Sequence, residues 1–428
     1  MKLGAVVCDA PARAFVKCIK GHSGYDSCER CVQRGEWCGN RKGTGGKPVL
    51  SDLSAPLRTD ISFHSKQDKA HHAGTSPFSE LQCGMVTSFP LDYMHLVCLG
   101  VVRQLIGLWV HGPKPHKLSQ TVLSAISDRL TVMQQHIPRE FSRKPRSLSE
   151  YKLWKATELR LFLLYTGPVV MKEFLLPEVY SNFLDLSVAV RLLLCPSLVE
   201  HYVDYVEKLL KYFVESFVNL YEKNQLVYNV HSLIHLADDA RHFGVLDNVS
   251  AFKYENFLRQ LKKLVRRPQA PCAQIVRRVL EGQSRGNIFA EKNEKVYQCV
   301  FSRPHMEGPA PVSMSHCQQF KQYNAMPWLV STSTGDNCFL VGGKIGVVKN
   351  IIREGGGESR SGYVLFEEFT NCKSFFTDPL DSADISLYFV SKPSGIKNVI
   401  PVSLTKTTCK CVLLPYKREY VAIRLIHD

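Results

Sequence analysis

The chain has 428 residues, of which 45% are hydrophobic, so it is long enough to form two or three domains with buried cores and is not a disordered tail. A formal net charge of +15 favours an anionic partner, and because the basic residues are spread along the chain, nucleic acid fits better than a membrane surface. We recognise neither a secretory signal nor an apolar run of the roughly 18 residues that a membrane span needs. We therefore expect a nuclear protein, or a cytoplasmic one before its import. Without a secretory signal, the 15 cysteines indicate reduced thiols and metal ligands and not a disulfide framework.

A short apolar run from Leu3 to Cys8 ends in a single carboxylate, Asp9. Such a run, broken by Pro11, is typical of a strand that is covered on both faces. The polar residue at its tip would then lie where open α/β sheets form their sites. A second interpretation makes Asp9 the cap of a helix that starts near Pro11, and these residues taken alone favour it.

Residues 17–38 hold a zinc-knuckle-like cluster of metal-binding side chains. Cys28 and Cys31 form a CxxC turn, which supplies two of the four ligands that zinc requires. Cys18 and His22 are the nearest companions in the sequence, and we expect them to complete the site. Reduced surface cysteines without a metal are the alternative.

Residues 39–79 are rich in Gly, Ser, Lys and His without a sustained period, which predicts a long surface loop that becomes ordered only against DNA or a partner. After this loop, a mostly apolar stretch places Asp92 and His95 three residues apart. On a helix these two side chains face the same side. From the spacing alone, a structural pair hydrogen-bonded within a core is the favoured interpretation.

A helical insertion is predicted over about residues 85–245. Four helices with apolar stripes at steps of three and four residues are predicted between residues 118 and 223, and their stripes indicate ordinary core packing. Ser119 caps the first, Gly167-Pro168 ends the second, Pro177 begins the third, and the fourth is a long amphipathic helix from Ser197 to Glu222. After them, His231 and His235 lie four residues apart. This spacing can hold a metal, but because no glutamate completes a hydrolase signature, structural histidines are the favoured interpretation.

A further helix is predicted over residues 250–267, with Glu255 in its first turn. A glutamate in this position interacts favourably with the positive end of the helix dipole, which is one explanation for it. The other is a metal ligand at the head of a basic helix that contacts phosphates. The residues predicted to contact DNA are Arg259, Lys262, Lys263, Arg266 and Arg267.

Beyond this helix, residues 291–325 are predicted to be a linker, because periodicity disappears and Gly, Pro, Asn and Ser become frequent. In residues 326–428 the pattern changes to short β-branched or aromatic runs separated by turn residues. These runs predict a small all-β domain, either a barrel or a sandwich, with a role in interaction or DNA contact.

Four stretches resemble the transposases of CACTA (En/Spm-like) DNA transposons over about residues 1–290. They are Val7 to Ala12, Gly21 to Cys31, Leu91 to His95, and Phe252 to Leu258. The resemblance implies an RNase H-like core in which carboxylates bind Mg²⁺ or Mn²⁺, with Asp9 as the second of three acids and Glu255 as the third. It also makes Asp92 and His95 neighbours of the active site. The first acid has no match, so we expect a truncated copy.

The expected fold class is therefore α/β, a partial RNase H-like core with a large all-α insertion, followed by a small all-β C-terminal domain. The expected function is that of a transposase-derived protein that binds duplex DNA at transposon ends, either as one chain or as a homo-oligomer. Its ancestral chemistry, metal-dependent DNA cleavage and strand transfer, is expected to be impaired when this chain acts alone. The alternative is a non-catalytic remnant or domesticated interaction protein with a zinc-stabilised helical scaffold.

Overall fold

The computed structural model consists of a helical body up to residue 284 and a β-domain from residue 300 onward, which confirms the expected mixture of helices and a C-terminal sheet. The residues that the structure describes are 4–39, 45–81, 83–284, 300–311, 317–325, 328–353, 362–401 and 408–426.

Twelve α-helices occur in the described part of the body. Two π-helical segments, Met94–Val102 and Phe162–Thr166, continue into α-helices and belong to the core. The helices are α1 (Ala10–Lys17), α2 (Asp60–His64), α3 (Arg103–His111), α4 (Gln120–Met133), α5 (Ala156–Leu161), α6 (Gly167–Val170), α7 (Pro177–Leu194), α8 (Val199–Tyr221), α9 (Tyr228–Ser232), α10 (Leu236–Phe243), α11 (Ala251–Lys262) and α12 (Pro271–Ser284).

The strand predicted to end at Asp9 is not formed. Residues 4–9 are extended but unpaired, and within the described chain their one backbone link to a neighbouring segment is the bond from Val6 N–H to the Ser88 carbonyl, 2.8 Å long. Asp9 is instead the N-cap of α1, where its Oδ1 accepts from the Ala12 N–H at 2.8 Å. The local capping signal before Pro11 therefore determines the structure here, because none of the described strands lies alongside to pair with this segment.

The sheet content of the described body is one hairpin, formed by β1 (Glu36–Gly39) and β2 (Gly46–Val49). This hairpin and α2 lie partly or wholly in the stretch predicted to be a loop. That stretch is anchored to the body by buried residues such as Phe63 and His71. The expectation that it becomes ordered only against a partner was therefore wrong for its described residues.

The helical insertion follows the prediction closely at three helices. The Ser119 side chain caps α4 by accepting from the Val122 N–H, and α7 begins at Pro177 as the sequence indicated. Helix α8 is the predicted long amphipathic helix. The second predicted helix differs. Gly167-Pro168 was expected to end it, but the chain continues in helical form through Gly167 into α6.

One continuous helix, Met94–His111, is long and apolar enough by composition to span a membrane. In the structure, 61% of this segment is buried inside the protein, as expected for the core helix of a folded domain. It packs at the centre of the body, with Trp109 fully buried.

The β-domain is a nine-stranded antiparallel sheet in its described residues. Six strands close into a barrel in the order β7, β6, β10, β11, β9, β8, because β8 also pairs with β7. Strand β4 pairs with β7 and extends the sheet, and β3 and β5 both pair with β4. The strands are β3 (Val300–His305), β4 (Gln318–Ala325), β5 (Trp328–Ser331), β6 (Cys338–Val341), β7 (Lys344–Arg353), β8 (Gly362–Ser374), β9 (Leu387–Pro401), β10 (Thr408–Tyr416) and β11 (Glu419–Arg424).

The predicted linker, residues 291–325, contains β3 and β4, so the boundary of the β-domain lies earlier than expected. The Pro304 residue that suggested a linker lies in β3. This strand is at the edge of the sheet, and a proline is tolerated there because no further strand needs its missing N–H group.

The barrel packs directly on the helical body, and residues of both parts share one hydrophobic cluster. Buried Arg191 of α7 donates to the carbonyls of Ile385 and Arg424 in the β-domain. Lys410 of β10, also fully buried, forms ion pairs with Glu140 of the body at 2.8 Å and with Asp336 at 2.6 Å.

Candidate zinc centre and adjoining polar cleft

The CxxC turn meets two histidines that lie about half the chain away. Cys28, Cys31, His231 and His235 are all buried, and one ligand atom from each lies within 4.8 Å of the others. His231 comes from α9 and His235 from the 3₁₀ turn that follows it. Sequence reasoning favoured structural histidines here, and the structure brings both rings next to the thiols, where they could hold a metal.

The spacing of these atoms is close to the edges of a zinc tetrahedron. Bonds of about 2.3 Å to sulfur and 2.0–2.1 Å to nitrogen give edges of about 3.8 Å between two sulfur atoms and about 3.5 Å between sulfur and nitrogen. The two sulfur atoms are 3.4 Å apart, the Cys31 Sγ to His231 Nε2 distance is 3.3 Å, and the Cys28 Sγ to His235 Nε2 distance is 3.6 Å. The cluster is therefore compatible with a structural zinc site, in which all four positions are filled by protein.

The electrostatics of the two thiols, Cys28 and Cys31, also favour metal binding. Burial opposes ionisation of Cys28, but hydrogen bonds from Cys31, His231 and His235 outweigh it and hold the pKa of this thiol well below its usual range. The hydrogen bond to Cys28, together with burial, raises the pKa of Cys31. One thiolate is thus stabilised by the protein itself, and a thiolate is the form that binds zinc.

Cys18 and His22, the ligands expected from the sequence, lie outside this cluster. Cys18 adopts a left-handed conformation at the C-terminus of α1, and its thiol points to the Phe15 carbonyl. His22 packs its ring edge-on against Tyr228 with centroids 6.2 Å apart, and lines the neighbouring cleft.

A buried charge network joins the zinc centre to this cleft. Glu29, inside the CxxC turn, accepts from Arg13 at 2.9 Å, from Lys17 at 3.0 Å and from the Tyr228 hydroxyl at 2.8 Å. Burial disfavours the charged carboxylate, but Arg13 and Lys17 outweigh it and hold the pKa of Glu29 well below its usual range. Because Arg13 and Lys17 belong to the helix that Asp9 caps, the CxxC turn fixes the position of one cleft wall.

The cleft has a volume of about 240 Å³ and is open to solvent on one side. It brings together three residues that the transposase resemblance selected, namely Asp9, Asp92 and His95. Its other polar walls come from α1 and α9. The polar side chains around it are Asp9, Arg13, His22, Asp92, His95, Tyr228 and Asn229.

Asp92 orients His95 within the cleft. Its Oδ2 accepts from His95 Nδ1 at 2.5 Å and from the His95 N–H at 3.1 Å, and its Oδ1 accepts from the N–H groups of Met94 and of Ala251, the first residue of α11. The other ring nitrogen, Nε2, faces the carboxylate of Glu255 at 3.6 Å. The buried aspartate therefore also ties the start of the Glu255 helix to the cleft.

The charges around His95 favour its protonated form. The hydrogen bond that His95 donates to Asp92 raises the pKa of His95, burial opposes this effect, and the negative charges of Asp92, Asp9 and Glu255 add to it. Asp9 and Glu255 consequently act on the same imidazole from separate parts of the chain. The structure thus places the other three residues of the predicted catalytic set, Asp9, Asp92 and Glu255, around the imidazole of His95.

The predicted DNA-binding residues lie on and after α11. Lys262 and Lys263 are exposed at the end of the helix, which stops short of the predicted residue 267. Arg266 and Arg267 are exposed in the following turn, and both of their N–H groups donate to the Gln274 side chain of α12. The side chain of the fifth residue, Arg259, lies outside the described residues.

Comparisons with known proteins concern the β-domain. Residues 304–425 match a domain of unknown function, DUF8592. The matched range begins in β3 and ends just after β11, so it covers the barrel together with the strands that extend it. No curated protein and no solved structure matches the chain. The DUF8592 match includes none of the zinc-centre or cleft residues.

Proposed function

We propose that the chain is a transposase-derived DNA-binding protein, related to the transposases of CACTA (En/Spm-like) elements and acting in the nucleus. The observation that supports this most is the meeting of Asp9, Asp92, His95 and Glu255 around one cleft. The resemblance selected these residues from short motifs far apart in the sequence. Motif matches that arose by chance would have no reason to converge on one site.

Charge supports DNA as the partner. The net charge of +15 is accompanied by a group of exposed basic residues on the helix that carries Glu255 and on the turn after it. In the described residues, none of the ion pairs involves Lys262, Lys263, Arg266 or Arg267. Their charges are therefore available to phosphates, which carry most of the affinity in sequence-tolerant DNA binding.

Under this proposal the cleft descends from an RNase H-like site for Mg²⁺ or Mn²⁺. The carboxylates of Asp9 and Glu255 suit such a hard cation, which would supply a polarised phosphate and an activated water. Asp92 suits it less, because its two oxygens already accept four hydrogen bonds. Two available acids are fewer than the three that the resemblance implies, so we expect DNA binding to be retained and cleavage to be weak.

A second candidate is a non-catalytic interaction protein built on the zinc-stabilised helical scaffold. The bonding of Asp92 favours it, since this residue acts as a structural tie between His95 and α11. The sheet content also favours it, because one two-stranded hairpin is all that the described part of residues 4–284 contains.

Two assays on the purified full chain separate these functions. Fluorescence anisotropy with a labelled duplex of mixed sequence should show tight binding at low salt that weakens as salt is raised. Supercoiled plasmid incubated with Mg²⁺ or Mn²⁺ should show little or no nicking. Absence of duplex binding at low salt would exclude the first function, and strong metal-dependent nicking would show that the site is more complete than the described residues indicate.

A further inference from the structure

An aromatic and apolar stripe lies exposed on α11, next to the cleft. Tyr254 is 49% exposed and Leu258 is 50% exposed. Being four residues apart on a helix, they lie on one face. Large apolar side chains that are exposed together on a helix are unusual unless the surface has a partner.

The stripe adjoins the charged face of the same helix. Glu255, the next residue after Tyr254, reaches His95 at the cleft. Lys262 follows Glu255 by seven residues, so it lies on nearly the same face two turns further along. The start of the helix is held by packing of Phe252 on Tyr93, with ring centroids 5.7 Å apart. An exposed ring therefore lies on the same helix as the carboxylate that reaches the cleft and the cations that follow it.

The charge of this surface identifies the chemical class of its partner. Lys253, Lys262 and Lys263 are exposed on α11, and Arg266 and Arg267 follow in the next turn. An apolar protein partner would leave these cations without counter-charges, whereas a nucleic acid pairs them with phosphates and offers base faces to the ring. Stacking of bases on aromatic side chains beside basic residues is how proteins hold unpaired nucleotides.

We infer that Tyr254, supported by Leu258, is a base-stacking platform, so that the surface prefers DNA in which unpaired nucleotides adjoin a duplex over continuous duplex DNA. This inference rests on the proposed DNA-binding function and specifies its substrate. The duplex would bind through the cations, and an unpaired base at a frayed end or overhang would stack on the ring. The preference should be tolerant of sequence, because every base presents a π-face.

The test uses the full chain and two DNA substrates that share the same long strand. In one substrate this strand is fully paired, and in the other a shorter complement leaves a short single-stranded overhang. A 2-aminopurine base at the junction reports stacking through its fluorescence. We expect the parent to bind the overhang substrate about tenfold more tightly and to quench the probe, which is in the range that stacking of one base contributes. Tyr254→Phe should keep the preference and Tyr254→Ala should lose it, with unchanged affinity for paired DNA. Tyr212→Ala, which removes another exposed tyrosine on α8, is the matched control and should behave as the parent.

The outcomes separate this inference from the function on which it rests. Equal binding of the two substrates by the parent would overturn the stacking inference while leaving duplex binding in place. A preference that survives in Tyr254→Ala would overturn it as well, since the ring would not be its source. Failure to bind either substrate at low salt would instead reject the proposed function, and the inference with it.

Discussion

The candidate zinc centre can be tested directly by substitution. Its ligands are cysteines and histidines, and so are Cys18 and His22, which the sequence suggested but which lie outside the cluster, so matched variants can be compared. Cys28→Ser replaces one buried thiolate with a hydroxyl group, which is a poor zinc ligand. The expected result is loss of bound zinc together with a lower thermal stability. Cys18→Ser is the matched control, since Cys18 lies nearby in the sequence but outside the cluster.

The size of the effect follows from binding linkage. A ligand that binds only the folded state at 1,000 times its dissociation constant stabilises that state by about 4 kcal/mol. In a domain of 150–250 residues, 1 kcal/mol corresponds to about 2–4 °C in Tm. We therefore expect Cys28→Ser, or chelation of the parent, to lower the Tm of the helical body by about 8–16 °C. Cys18→Ser should change it by less than about 2 °C.

The assay combines metal analysis of the purified protein with thermal unfolding in the presence and absence of a chelator. The parent and Cys18→Ser should each contain about one equivalent of zinc, and Cys28→Ser and His231→Asn should contain little. Replacement of zinc by Co²⁺ should give the visible absorption of a tetrahedral site in the parent and in Cys18→Ser, but in neither Cys28→Ser nor His231→Asn. Less than half an equivalent in the parent, or equal zinc loss in Cys18→Ser, would refute the assignment.

Three further predictions concern buried charges. Burial raises the pKa of Asp185 from 3.8 to about 7, so the native state loses stability as pH rises between these values. In urea unfolding, Asp185→Asn should therefore stabilise the native state by up to about 4 kcal/mol at pH 8 and have little effect below pH 4. Lys410→Ala removes the buried counter-charge of Glu140 and Asp336 and should cost about 3–5 kcal/mol; a loss below 1 kcal/mol would contradict a buried pairing. Glu29→Gln leaves two buried cations unpaired, so it should lower the urea midpoint while leaving the zinc content unchanged.

The zinc site illustrates what the sequence can and cannot predict. Both of its halves were recognisable, the CxxC turn as a zinc knuckle and the two histidines by a spacing that permits metal binding. Their pairing was not, because about 200 residues separate them and only the packing of α9 beside the CxxC turn brings them together. Local spacing instead pointed to Cys18 and His22, which are close in sequence but lie outside the cluster.

Elements with strong local signals were predicted well, and those that depend on distant partners were not. The capped or proline-started helices α4 and α7 formed as expected, and so did short β-branched strands such as β6 and β11. The strand expected before Asp9 requires a neighbour that the described chain does not supply. The burial of Lys410 in strand β10 also depends on distant partners, because its charge is balanced by the carboxylates of Glu140 and Asp336.

The measurement that tests the proposed function most directly is the salt dependence of duplex binding. The logarithm of affinity should fall linearly with the logarithm of salt concentration, with a slope of about 0.9 per neutralised phosphate. Replacing Lys262, Lys263, Arg266 and Arg267 by alanine should flatten this slope by up to about 3.6 units. The matched control replaces four exposed lysines elsewhere on the body, removing the same total charge, and should leave the slope nearly unchanged. These lysines are Lys69, Lys117, Lys152 and Lys208. If the two variants lose affinity equally, or if neither differs from the parent, the basic residues at the end of α11 do not form a DNA-binding surface.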